Sequence, residues 1–383
     1  MIKRRILPII IIAQFFCTSL WFAGNVVLPD LDQEFQLPSN SYIFITSAVQ
    51  LGFILASLVF AILNISDRFS PSKVFFTCAL IGAICNMGIF ITTGFWSIIL
   101  IRFLTGICLA GIYPVGLKLA VDYYEKGLGK ALGYLVGALV LGTALPHLLK
   151  SITSTLHWEY VIIYTSALCL TGSLLIVLFV PDGPHRKAAS NISFGVIPSI
   201  FKIKNLRAAA LGYIGHMWEL YTFWSVVPAI ILLYCKNGAQ LNTSLWSFII
   251  IASGSFACVI GGYVALKKGS SNVAFVTLSI SFCCCLLSVF VVQMPVTIFI
   301  AFMLIWGMAI IADSPQFSTL VAQNTPAEIK GSALTIINAM GFFVTIISIQ
   351  VIGVLAQFVS PVYLYAFLGI GPALGLLSMR RLR

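Results

Sequence analysis

Charge is what this chain has least of. Asp, Glu, Lys and Arg make up 9% of its 383 residues, where a soluble domain carries roughly a quarter. Only 11 residues are acidic and 4 are His, which excludes a solvated surface of ordinary charge density. Polar stretches long enough for a soluble domain are missing as well. The longest break on the side poor in basic residues runs from Asp30 to Ser41 and carries Asp30, Asp32 and Glu34. No Gly-rich phosphate loop, nucleophile elbow or metal-ligand spacing occurs, so no cofactor and no metal are expected. The 10 Cys, including Cys283, Cys284 and Cys285, lie mostly in apolar runs and are expected to act as small apolar fillers.

What the chain does have is apolar surface: 60% of residues are hydrophobic and the mean hydropathy is +1.05. A membrane span needs about 20 predominantly apolar residues. Such runs fall at 6–29, 42–65, 74–93, 96–117, 131–150, 160–180, 208–233, 243–266, 273–291, 297–321, 332–354 and 362–379. The fold class expected is an all-α membrane protein of twelve transmembrane helices. Of the 22 Lys and Arg residues, only Lys150 and Lys236 fall on one side of these runs, and Arg102 falls inside one. The rest share the other side: Lys3, Arg4, Arg5, Arg68, Lys73, Lys118, Lys126, Lys130, Arg186, Lys187, Lys202, Lys204, Arg207, Lys267, Lys268, Lys330, Arg380, Arg381 and Arg383. Short basic loops stay in the cytoplasm, so both termini are expected there, in a multi-pass protein of the inner membrane. The net charge of +11 is then matched to anionic lipid headgroups and not to nucleic acid. The apolar run after Arg5 continues to Pro29 without a small-residue cleavage site, as in a retained first span.

The chain is internally duplicated. A shift of 201 residues lays spans 1–6 on spans 7–12, and Gly106, Gly111 and Pro114 fall on Gly307, Ala312 and Pro315. Two six-helix bundles follow, at 1–180 and 208–383, joined by a cytoplasmic linker at 181–207. Within the linker, Ile192 to Lys204 mixes apolar residues with lysines and suits a short surface helix. The loop after span 2, Asp67-Arg68-Phe69-Ser70-Pro71-Ser72-Lys73, is similar to the Gly-x-x-x-Asp-Arg-x-Gly-Arg-Lys loop of the major facilitator superfamily. It departs at Leu63 and Ser70, where that family has Gly. Arg102-x-x-x-Gly106 matches the family's Arg-x-x-x-Gly motif, and Gly133, Gly142 and Pro146 form an incomplete version of its antiporter motif. The chain resembles this superfamily over essentially its whole length. The resemblance implies two parallel repeats rocking about a solute site, with Asp67 and Arg68 as a latch that stabilises the state closed to the cytoplasm.

Ionisable groups inside spans are expensive and default to function. Glu219 lies about 17 Å into span 7 at 1.5 Å per residue, near the bilayer midplane. His216, one turn earlier, shares its face. Asp313, beside Ser314 and Pro315, sits where a proline frees a backbone carbonyl. Glu219, His216 and Asp313 are the candidate proton-coupling groups. Arg102 cannot lose its proton and is a candidate to hold an anionic solute, to pair with a carboxylate, or to clamp backbone carbonyls. Glu219, Tyr221, Gln14, Asn25, Tyr113, Gln316 and Asn338 complete the candidate solute-binding set. The function expected is secondary active transport of a small polar or anionic organic solute, driven by protons, by a monomer in the lipid bilayer. Proton-driven efflux of a drug or metabolite is the alternative. An intramembrane enzyme or a non-transporting sensor finds no supporting motif.

Overall fold

Twelve helical segments long and apolar enough to cross a membrane are present in the computed structural model. It describes residues 2–38, 41–123, 128–153, 157–185, 195, 197–326, 329–380 and 382, with backbone alone at 2–4, 128–130 and 199. Spans 1 to 6 are Arg5–Val26, Ser41–Ile62, Pro71–Ile91, Phe95–Tyr123, Ala131–Ile152 and Glu159–Phe179. Spans 7 to 12 are Lys204–Cys235, Thr243–Lys268, Ser270–Val291, Val296–Gln323, Lys330–Leu355 and Pro361–Met379. Helix is dictated by the solvent, because hydrocarbon leaves each backbone N–H and C=O only its own chain to bond. The chain divides into two compact units, residues 1–191 and 192–383. Span 7 begins earlier than its apolar run, because 204–207 contain no helix breaker after the extended Ile203. The sequence-based expectations for the side chains of Lys3, Arg4, Lys126, Lys130, Arg186, Lys187, Arg381 and Arg383, and for most of 186–196, lie outside the described residues.

The duplication is visible in how the helices touch. In the first unit, span 4 crosses span 2 so closely that a methyl group on Gly106 would lie 2.1 Å from the Val49 carbonyl oxygen. In the second, a methyl group on Gly307 would lie 2.3 Å from the Ile250 carbonyl oxygen. Both members of each pair are 201 residues apart, so the repeat in sequence is a repeat in backbone contact. Small residues are what allow such crossings, since lipid tails supply no hydrophobic drive for helix association.

Breaks in the helices repeat too. Span 4 consists of Phe95–Ala110 and Tyr113–Tyr123, and span 10 of Val296–Ala312 and Ser314–Asn324. Pro114 and Pro315 follow the two breaks and lack the N–H that would bond four residues back. In span 10 the carbonyl left open is that of Ile311, and the Cys258 thiol of span 8 donates to it at 3.5 Å. Span 1 breaks at Ser19, between Ile2–Thr18 and Leu20–Val26. There the Ser19 hydroxyl donates to the Phe16 carbonyl at 2.6 Å.

Gly106→Ala and Gly307→Ala are each expected to lower the thermal unfolding midpoint of the purified chain, by roughly 1–3 kcal/mol of overpacking. Gly262→Ala, which meets nothing within 4 Å, is the control and should leave the midpoint unchanged or raise it.

Candidate functional site

Span 7 carries the buried acid Glu219 into the interior of the second unit, where its Oε1 accepts three hydrogen bonds. Ser281 Oγ donates at 2.6 Å, Trp306 Nε1 at 2.7 Å and Cys285 Sγ at 3.2 Å. Ser281 and Cys285 stand one turn apart on span 9, so one helix face presents both donors. Trp306 precedes the close-crossing Gly307, and its ring packs on Phe223 at 4.6 Å between centroids. Three spans thus converge on one carboxyl oxygen.

Asp313 sits at the break of span 10, fully buried. His216 Nδ1 stands 2.8 Å from its Oδ1. Neither Asp313 oxygen nor His216 Nε2 has a hydrogen-bond partner among the described residues. The imidazole is flanked by the rings of Tyr213 and Phe317, each at 6.0 Å between centroids. His216 thus meets Asp313 and not its helical neighbour Glu219. Three residues along a helix is 60° short of a full turn, and that offset aims the two side chains at different partners. Leaving buried polar atoms unsatisfied costs about 1–3 kcal/mol each. Such atoms in a native fold mark strain, water, an ion or a functional role.

In the first unit, Arg102 is buried in span 4, and its guanidinium reaches the first turn of span 1 after its break. Its Nη2 donates to the Trp21 carbonyl at 2.6 Å and the Leu20 carbonyl at 3.2 Å. Its Nη1 reaches Asn86 Oδ1 at 3.5 Å, and Asn86 in turn donates to Thr165 and Ser166 of span 6. Gly24 makes the room, since a methyl group there would lie 2.7 Å from Arg102 Nε. That Nε has no acceptor, and no carboxylate lies within 4.0 Å of the guanidinium, among the described residues. The Gln14 amide is buried against Gly116 with both polar atoms unpartnered. Gln50 of span 2 is in the same condition.

Among the remaining candidates, Asn25 donates to Thr46 at 2.6 Å and ties span 1 to span 2. Tyr221 is buried between Trp224 and Phe342. Gln316 is buried in the second half of span 10, and Tyr113 opens the second half of span 4. Asn338 is exposed and accepts from the Tyr213 hydroxyl. Asp67 pairs with Lys118 at 2.7 Å, joining the ends of spans 2 and 4, while Arg68 is exposed. At the opposite end of this unit, Lys150 pairs with Asp30 at 2.5 Å. Lys150, one of two basic residues that break the charge asymmetry, is thereby neutralised.

Sequence reading missed Ser281, Cys285, Trp306, Asn86, Gln50 and Lys118. Gln50 and Asn86 had a visible signal, as amides in the middle of apolar runs. Cys285 and Cys258 show that the cysteines are more than apolar filler: their thiols donate where a polar atom needs a partner.

Apolar helices in two repeated bundles, holding charges inside them, define a multi-pass membrane protein. The sequence profile of the Major Facilitator Superfamily matches residues 10–349, and the chain belongs to that superfamily. It is similar to the inner membrane transport protein YnfM of Escherichia coli K12, 23% identical over 178 residues, 45% of this chain and 41% of that protein. It is also 23% identical over 274 residues, 69% of this chain and 65% of the relative, to the uncharacterized transporter BU588 of Buchnera aphidicola subsp. Acyrthosiphon pisum. The chain thus covers less than two-thirds of the length of either relative. The fold is similar to that of a bacterial homolog of the human lysosomal transporter Spinster, crystallised inward-facing and unoccupied. That likeness has a TM-score of 0.71 at 14% identity and covers 99% of this chain and 93% of the other.

Trp306→Phe keeps a ring against Phe223 but removes one donor from Glu219. It is expected to cost about 1–3 kcal/mol, read as a lower thermal midpoint, while Phe302→Leu on the neighbouring turn should cost less than the loss of that donor.

Proposed function

We propose that the protein is a proton-coupled carrier of a small polar or anionic organic solute, working by alternating access in the inner membrane with both termini cytoplasmic. The observation that carries this reading is the His216–Asp313 contact: two titratable groups, buried at a helix break, with hydrogen-bonding capacity left open. Proton exchange is the chemistry such a pair is suited to, because each partner alters the charge that the other faces. Glu219 is the third member, and its three donors hold it in place as a second acid in the same bundle. Arg102 supports an anionic solute, as a buried cation whose bonds go to backbone carbonyls and to Asn86. Gln14, whose amide has no partner among the described residues, supports a polar one. Asn25, Tyr113, Tyr221, Gln316 and Asn338 are kept as secondary contacts, of which Asn25 and Asn338 already bond within their own units. Asp67 and Arg68 act as the conformational latch in this reading, supported by the bond of Asp67 to Lys118 across two span ends.

The energetics are sufficient. Moving one charge across the membrane is worth about 2.3 kcal/mol per 100 mV, or roughly a fiftyfold concentration ratio.

Thermal stabilisation across organic acids, amino acids and sugars identifies the solute, since a ligand stabilises the fold by mass action. In proteoliposomes, Asp313→Asn and Glu219→Gln are then expected to lose uptake driven by a pH gradient, by about tenfold or more, while counterflow of labelled solute persists. Gradient-driven accumulation unaltered in both variants would remove Asp313 and Glu219 from the mechanism, and wild type that accumulates nothing under a pH gradient would remove protons.

A further inference from the structure

In the second unit, spans 8, 9 and 10 enclose a groove of about 420 Å³. Its floor is cut by small residues, Ala257 and Gly261 of span 8 and Ala309 and Ala312 of span 10. Its rim includes Ile260, Val276 and Ile305, 61%, 49% and 48% exposed, so it opens sideways, toward the surroundings of the bundle. At one end stand Lys268 and Asn272, at the turn where Gly269, with φ +80°, joins span 8 to span 9.

The first unit shows what this groove lacks. The residue 201 before Gly261 is Phe60, and the residue 201 before Ala312 is Gly111. The Cys78 side chain and the Phe60 ring both lie on the Gly111 backbone, 2.2 Å and 3.2 Å from where a methyl group there would be. In the second unit Gly261 brings no side chain to the place of Phe60, and the groove lies there. The charge is inverted as well. Asp67, which pairs with Lys118, has Lys268 as its counterpart, and Lys118 has Thr319. Among the described residues no carboxylate lies within 4.0 Å of Lys268. The second unit is thus short of one apolar plug and one anion in the places where the first supplies both from its own chain.

We infer that an anionic glycerophospholipid fills this groove, one acyl chain lying along Gly261 and the phosphate resting at Lys268. From Lys268 to Ala257 is about 17 Å at 1.5 Å per residue, against about 15 Å for one leaflet of a 30 Å hydrocarbon core. A chain entering from the headgroup level therefore reaches the far end of the groove. The occupant is an anion and not a hydrophobic cation, which Lys268 and the adjacent Lys267 would repel. The occupied groove borders Ala312, the residue before the span 10 break, so the lipid would buttress the segment that carries Asp313. The inference stands whether or not the solute is anionic or the coupling ion is a proton.

The test uses the purified full chain in detergent, titrated with dioleoyl phosphatidylglycerol or dioleoyl phosphatidylcholine. Retained lipid is read by native mass spectrometry and stabilisation by thermal midpoint. The wild type should retain one phosphatidylglycerol with a preference of about fivefold or more over phosphatidylcholine, the worth of one Lys at an anionic surface. Lys268→Gln should bring that ratio close to one. Gly261→Phe, which installs the plug of the first unit, should abolish retention; if it does not fold, Ala257→Leu narrows the same groove. Equal retention of the two lipids by wild type would overturn the inference. So would a preference that survives Lys268→Gln, or retention unchanged in the folded plugged variant.

Discussion

Hydrocarbon offers no water to a backbone carbonyl, so each break in a membrane helix must find its donor inside the protein. That constraint organises the polar chemistry of this chain. Arg102 spends its Nη2 on the carbonyls of Leu20 and Trp21 beside the span 1 break. Cys258 supplies the Ile311 carbonyl that Pro315 leaves open. Neither residue sits where it does for packing alone, since each donates to a backbone carbonyl beside a helix break. The breaks are tolerated because neighbouring spans pass close enough to donate, and the glycine crossings at Gly106 and Gly307 bring them that close.

Breaks also decide where a charge can be stationed. A continuous helix bonds its own carbonyls and leaves side chains to pack. An interrupted one exposes its ends, and Asp313 lies at such a point, 2.8 Å from His216 Nδ1. Glu219, on an unbroken stretch of span 7, is instead held by three donors. The two acids in one bundle therefore differ in kind: one is fastened and the other is open. An open acid beside an imidazole suits the exchange of a proton better than a fastened one.

Much of the fold could be read from the chain, because span length and loop charge follow directly from bilayer thickness and headgroup charge. The shift of 201 residues predicted which glycines and prolines correspond, and the crossings at Val49 and Ile250 show why those positions are small. The candidate site was most legible in its ionisable groups. Glu219, His216 and Asp313 stand out because a charge in an apolar run is conspicuous. Their partners do not, since Ser281, Cys285 and Trp306 look like any other residues of apolar spans. The sequence placed His216 beside Glu219 by helical spacing, a local rule, whereas its contact with Asp313 is set by the packing of span 10 on span 7. The motif singles out Asp67, but its partner Lys118 lies 51 positions away and belongs to the basic loops that topology alone would explain.

Proton coupling of the proposed kind requires the Asp313 carboxyl, beside His216, to gain and lose a proton inside the membrane. Infrared difference spectra of the reconstituted protein between acid and alkaline pH read the carbonyl stretch of protonated buried carboxyls directly and need no solute. A band that titrates with pH, vanishes in Asp313→Asn and survives in Glu219→Gln is the expected result. A titrating band untouched by Asp313→Asn, or none in the wild type, would contradict it.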